Sequence, residues 1–159
     1  MFSLDRILTE RLTIRRFKET DMENLFRLLS DPEVMRYIEP PYTREQTVSF
    51  LNSVALRQAP LIWAVDDLCD NFVGYVIFHP YDEKSYEIGW LLRKEHWHKG
   101  YAQELTKALI EAGENLQKDL IIECHPEQAA TQKIALGNGF VYVGKENGCN
   151  LYRRKAVQN

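Results

Sequence analysis

A strand-like run at 86–92 enters a short basic loop, His98-Lys99-Gly100-Tyr101-Ala102, and leaves it in a helix-like run at 101–116, after which 120–124 reads as a short apolar strand. Two strands separated by a helix do not close as a hairpin. The unit reads as a parallel crossover whose helix covers one face of a sheet. Ala102, Leu105, Ala108, Leu109, Ala112 and Leu116 recur at helical spacing and supply the buried stripe that this packing needs. The loop also has chemistry. A strand feeding a helix N-terminus brings unpaired N–H groups and the positive end of the helix dipole to one point, which suits a phosphate group.

The other elements follow from local patterns. Leu12, Ile14 and Phe17 predict a first strand ending near Lys18, and Thr20 with Glu23 has the spacing of a capping box that opens a helix through Leu29. Asp31-Pro32 stops it, a helical turn covers 32–35, and Thr43 with Gln46 forms a second capping box for a helix to about Gln58. Strands at 61–66, 72–79 and 86–92 are natural antiparallel neighbours. Beyond the crossover, a helix opens at Pro126-Glu127 with Ala130, Ile134 and Ala135 as its apolar positions and stops at Gly137-Asn138-Gly139; strands at 140–144 and 151–155 close the chain.

A chain of 159 residues with no Pro/Gly/Ser-rich stretch reads as one domain spanning 1–159. Its net charge of -3, with Lys and Arg scattered, gives no electrostatic reason for an extended nucleic-acid or membrane surface, so small molecules or protein termini are the expected partners. The start of the chain lacks the apolar core of a secretory signal, and no apolar run approaches the ~20 residues of a membrane span, so a soluble, cytoplasmic protein is expected. Cys69, Cys124 and Cys149 are odd in number and widely spaced, which argues against a disulfide framework or a paired-cysteine zinc site.

Trp97 and the loop that follows it, read with Glu87-Ile88-Gly89-Trp90 before and Ala135 to Gly139-Phe140 after, resemble the GNAT superfamily of acyl-CoA-dependent N-acyltransferases. Thr9-Glu10-Arg11-Leu12 and Asp31-Pro32-Glu33-Val34-Met35 are similar to the branch that holds the ribosomal-protein N-terminal acetyltransferases. That branch commonly reads Trp-Gly-Lys-Gly-Tyr-Ala at the loop; here His98 replaces the first glycine. The resemblance implies an α/β fold with a mixed, twisted sheet of about seven strands flanked by about four helices.

It further implies acetyl-CoA as co-substrate, its pyrophosphate held by the backbone of His98, Lys99, Gly100, Tyr101, Ala102 and Gln103. Pantetheine then lies where the strand at Leu91, Leu92 and Arg93 diverges from that at 120–124, pairing with exposed strand edges as an added strand would. A side chain at His98 is tolerable there if its φ is ordinary, and Gly100 matters because a side chain at that position could obstruct the phosphate. The tyrosine acid that many relatives carry four residues before Gly139 is replaced by Ala135. Thr131 retains a hydroxyl where the branch has a proposed serine donor, Gln128 stands one methylene further out than the usual asparagine, and Glu87 is the candidate general base.

The reaction so implied is acetyl transfer to a primary amine by direct attack in a ternary complex, the amine belonging to a protein N-terminus or, alternatively, to a small molecule such as an antibiotic, polyamine or amino-acid analogue. A CoA-binding module without catalysis is the rival from another class, and a homodimer is common among relatives. His96 and His98 lack a third ligand for a metal site. His79 and His125 lie near strand ends, open either to the acceptor cleft or to solvent. Tyr37, Glu39, Tyr42, Trp63 and Tyr81 make an aromatic set with some acidity, open either to receiving a cationic amine or to core and rim packing. Arg153-Arg154-Lys155 reads as a solvated strand edge.

Overall fold

Ile62 and Ala64 pack into one hydrophobic layer while Trp63 and Val65, alternating with them, pack into another, so the strand that carries them is buried on both faces. The computed structural model describes residues 4–157. Among these residues eight strands form one sheet: Arg6–Leu8 (β1), Leu12–Arg15 (β2), Ile62–Asp67 (β3), Phe72–Pro80 (β4), Ser85–Leu92 (β5), Asp119–Cys124 (β6), Val141–Glu146 (β7) and Cys149–Arg154 (β8). Their order is β1-β2-β3-β4-β5-β6-β8-β7. Every neighbouring pair is antiparallel except β5 with β6, which run parallel as a crossover requires.

Four helices, Met22–Leu29 (α1), Arg44–Phe50 (α2), Tyr101–Asn115 (α3) and Ala129–Gly137 (α4), accompany the sheet. Leu105, Leu109 and Ala112 of α3 join Val65, Val76, Ile88 and Ile122 in one core; Leu25, Leu28 and Leu29 of α1 join Ala64, Phe72 and Tyr75 in the other. The mixed α/β architecture is the one the resemblance implied, with β1 added. That strand escapes sequence reading because Arg6 and Leu8 are exposed and only Ile7 is partly covered, leaving no apolar alternation to find.

Three local expectations need correction. The start of α1 is not capped by Thr20 and Glu23: a 3-10 turn, Glu19–Asp21, precedes it, and the Lys18 N–H donates to Asp21 Oδ2 at 2.7 Å. Asp21 is drawn there by Arg15, whose guanidinium donates to both of its oxygens (2.8 and 2.9 Å) and to Asp66 (2.6 and 3.2 Å). Burial alone would raise the Asp21 pKa, but Arg15 and the Lys18 amide hold it below its ordinary value. The helix begun by Thr43 and Gln46 forms with its reciprocal cap, at 2.8 and 3.1 Å, yet ends in a π turn at Leu51–Ala55 rather than near Gln58. The strand bearing Arg153 and Arg154 is no edge: β8 lies between β6 and β7, Arg153 Nε donates to Asp119 at 2.9 Å, and Arg154 pairs with Glu114 at 3.0 Å.

Gly74 decides how closely β4 can back β5. A Cβ there would stand 2.1 Å from the Leu91 carbonyl oxygen, a separation no side chain tolerates.

Candidate active site

β5 and β6 are paired only through Ser85 with Asp119, Tyr86 with Leu120 and Glu87 with Ile121. Beyond Glu87 the strands part, and the β6-facing edge of β5 has no strand partner up to Leu92. Such an edge carries backbone donors and acceptors that seek a ligand. Two clefts occupy the gap.

The larger, of about 520 Å³, is lined by Trp90, Leu91 and Leu92 of β5, by His98 and Gly100 to Gln103, and by Gln128, Thr131 and Ile134 at α4. Its floor is the start of α3. The first bond of that helix runs from the Glu104 N–H to the Gly100 carbonyl (3.1 Å), so the amides of Tyr101, Ala102 and Gln103 have no helical acceptor. Gly100 has φ +80, and His98 has φ 61. The condition of an ordinary φ at His98 is therefore not met: the residue holds a left-handed conformation that glycine adopts without strain, at a typical cost of ~1 to 2 kcal/mol for a residue with a side chain. Trp97 Nε1 donates to the Leu92 carbonyl at 2.9 Å and folds the loop back onto the end of β5.

Of the predicted coenzyme-binding residues, Arg93 and Lys99 do not line this cleft. Arg93 pairs with Glu95 at 3.0 Å, and the Lys99 carbonyl accepts from Arg11 at 2.8 Å. The Gln103 side chain exchanges two hydrogen bonds with Asn138 (3.0 and 2.9 Å), tying α3 to α4. Gln128 Oε1 accepts the His125 N–H at 2.8 Å, leaving its Nε2 donor free among the described residues. Ala130 and Ile134, two of the apolar positions of the expected helix, line the cleft.

The smaller cleft, of about 300 Å³, is lined by Glu87, Trp90, Glu123, Cys124, His125, Gln128, Thr131, Cys149 and Tyr37, among others, with no Lys or Arg in its wall. Tyr37, Trp90, Leu91, Gln128 and Thr131 line both clefts, so Thr131 stands where the two meet. Thr47 and Thr106 each bond to the carbonyl four residues back (2.9 and 2.7 Å), but no such bond occupies the Thr131 hydroxyl among the described residues.

Burial raises the Glu87 pKa above its ordinary value; the charge of Glu123 pushes the same way, and His79 opposes. His79 Nε2 lies 4.0 Å from Glu87 Oε1, with Nδ1 3.0 Å from the Pro80 carbonyl. The thiols beside them are weak nucleophiles: burial pushes Cys124 up to about 11 and raises Cys149 as well. The expected aromatic set does not assemble. Tyr37 reaches the clefts and stacks on His125 with ring centroids 5.1 Å apart, but Trp63 is buried in the α3-side core, Tyr42 packs on Phe50 and Tyr81 donates to Glu146. Sequence reasoning missed Glu123 and Cys149, which no local pattern marks. Among the described residues, no three His, Cys, Asp or Glu side chains cluster to hold a metal ion, and no helix is long and apolar enough to cross a membrane.

Two clefts meet at an open strand edge beside a helix N-terminus. Residues 11–141 match the family described as Acetyltransferase (GNAT) domain. The chain is 34% identical over 136 residues to the uncharacterized N-acetyltransferase YnaD of Bacillus subtilis (strain 168), covering 80% of this chain and 78% of that one. It is 30% identical to the uncharacterized N-acetyltransferase p20 of Bacillus licheniformis, covering 87% and 83%. The crystal structure of a GNAT-family acetyltransferase from Bacillus anthracis superposes with a TM-score of 0.82 at 28% identity, covering 93% of this chain and 95% of that one. The chain belongs to the GNAT acetyltransferase family and is an N-acetyltransferase, an acyltransferase of a family that uses acetyl-CoA.

Proposed function

We propose that this single domain acetylates a primary amine held as its ammonium ion in the smaller, acidic cleft, with acetyl-CoA in the larger one. The observation that carries the reading is Thr131 at the junction of the clefts with its hydroxyl uncommitted. The larger cleft fits the coenzyme in kind: free amides at the start of α3 suit an anionic diphosphate, and the unpaired edge of β5 suits the amides of a pantetheine arm. Gly100, Tyr101, Ala102 and Gln103 would hold the former through backbone, Leu91 and Leu92 the latter, and Gln128 Nε2 would orient it from α4.

Bound acetyl-CoA would supply a thioester carbonyl for the amine to attack and a thiol as leaving group. Glu87, directly or through water, takes the proton that the ammonium must lose. A carboxylate with a raised pKa is better matched to that task than an ordinary one. Backbone N–H groups of the open β5 edge stabilise charge developing on the carbonyl oxygen. Thr131 Oγ1 donates a hydrogen bond to the departing sulfur and relays to it the proton that the attacking nitrogen sheds as the amide forms, so the hydroxyl ends as it began. The path needs neither cleft cysteine, and burial, which raises both thiol pKa values, disfavours the thiolate form of each. The carboxylates of Glu87 and Glu123 favour diamines and peptide N-termini over free amino acids, whose own carboxylate would be repelled.

Thr131→Val keeps the shape and removes the hydroxyl. Turnover should fall about 100-fold, within the range for a positioned proton donor, while KM for acetyl-CoA changes little. Unchanged turnover removes Thr131 from the mechanism. Release of free thiol across a panel of diamines, peptides and amino acids reads out the acceptor class.

A further inference from the structure

We infer that Arg11, from the segment between β1 and β2, is a positioning residue for the coenzyme loop; the inference rests on the acetyl-CoA reading of the larger cleft. Arg11 does not line that cleft. It grips the loop from behind: Nη1 donates to the Lys99 carbonyl at 2.8 Å, and the guanidinium carbon lies 4.6 Å from the Tyr101 ring centroid. A Cβ on Gly100 would come within 3.3 Å of Nη2, so the guanidinium lies against the residue that opens the helix.

Arg11 is itself anchored. Its backbone N–H and its Nε both donate to Glu104 at 2.8 Å, and the Thr9 hydroxyl donates to the same carboxylate. Glu104 sits in the first turn of α3, so one carboxylate joins the β1–β2 connection to the helix whose start forms the cleft floor. A planar fork that satisfies a carboxylate and a carbonyl together is an arginine property that lysine does not share.

The consequence lies in one peptide plane. The carbonyl of Lys99 and the N–H of Gly100 belong to the same rigid trans unit and point in opposite directions. Holding the carbonyl toward Arg11 turns the N–H of Gly100, a residue that lines the cleft, away from the guanidinium. Without Arg11 that plane is free to rotate and to present a carbonyl oxygen to an anionic diphosphate. The positive φ of both His98 and Gly100 makes this the loop position most in need of an external hold.

The test compares Arg11→Gln, Arg11→Lys and Glu104→Gln, each first shown to be folded by circular dichroism, with two acetyl donors: acetyl-CoA and S-acetylpantetheine, which lacks the diphosphate. Arg11→Gln should raise KM for acetyl-CoA about tenfold with kcat within about twofold, and leave kcat/KM for S-acetylpantetheine unchanged. Arg11→Lys should recover part of the loss. Glu104→Gln should raise the same KM about threefold, and the double variant should be no worse than Arg11→Gln alone. An unchanged KM for acetyl-CoA in Arg11→Gln, or equal losses with both donors, overturns the role. Failure of the wild-type protein to bind CoA in calorimetry overturns the acetyl-CoA reading and this role with it, whereas normal wild-type binding alongside an unaffected Arg11→Gln overturns this role alone.

Discussion

The two clefts that meet at Thr131 are made in opposite ways. The larger is chiefly a backbone construction: a strand edge left open beyond Glu87, two residues with positive φ, and the amides that begin α3. The smaller is a side-chain construction, its walls drawn from β5 (Glu87), β6 (Glu123, Cys124), the segment after α1 (Tyr37) and the start of β8 (Cys149). With acetyl-CoA in the larger cleft and the amine in the smaller, as proposed, donor grip and acceptor choice are separable. Changes of side chain should be felt mainly in the smaller cleft, and changes of backbone conformation mainly in the larger.

Gly100→Val puts the contrast at greatest risk. A β-branched residue at φ +80, with its Cβ pressed on Arg11, must distort the loop, and KM for acetyl-CoA should rise about 100-fold or more. Retention of normal coenzyme affinity would show that the larger cleft does not depend on this geometry. Glu87→Gln should lower kcat about 10-fold or more and abolish the acidic limb of the rate profile. The sign follows from the raised pKa: the rate climbs as pH rises through a value above the ordinary carboxylate range, because the deprotonated form is the base. Glu123→Gln removes a charge that lifts that pKa, so the limb should move to lower pH while the coenzyme KM stays put. A limb that stays in place would separate the two carboxylates. His98→Gly should do least: relief of left-handed strain is offset by the greater freedom of glycine in the unfolded chain, and KM for acetyl-CoA should change by less than about threefold.

What was legible in the sequence follows the same division. The crossover, the capping box of Thr43 and Gln46 and the glycine at the mouth of α3 are set by residues a few positions apart, and each was found where local spacing put it. The start of α1 was misread because Arg15 claims Asp21 together with Asp66, a partner 51 residues from Arg15 along the chain, and that attraction outcompetes the nearby Thr20 and Glu23. Ala130 and Ile134 repeat at helical spacing like core residues, and periodicity cannot distinguish a face turned to a core from one turned to a cleft. Glu123 and Cys149 belong to strands whose adjacency is decided by the order β6-β8-β7, which no spacing reveals. Arg11 was visible as part of a motif, but its purpose emerges only when Glu104 and Lys99 come within reach.

Gly74 leaves no space between itself and the carbonyl of Leu91, in the wall of both clefts. A single methyl group added there would push on that wall from the rear. Saturation mutagenesis scored by acetylation should consequently uncover an intolerant position at a residue that lines neither cleft.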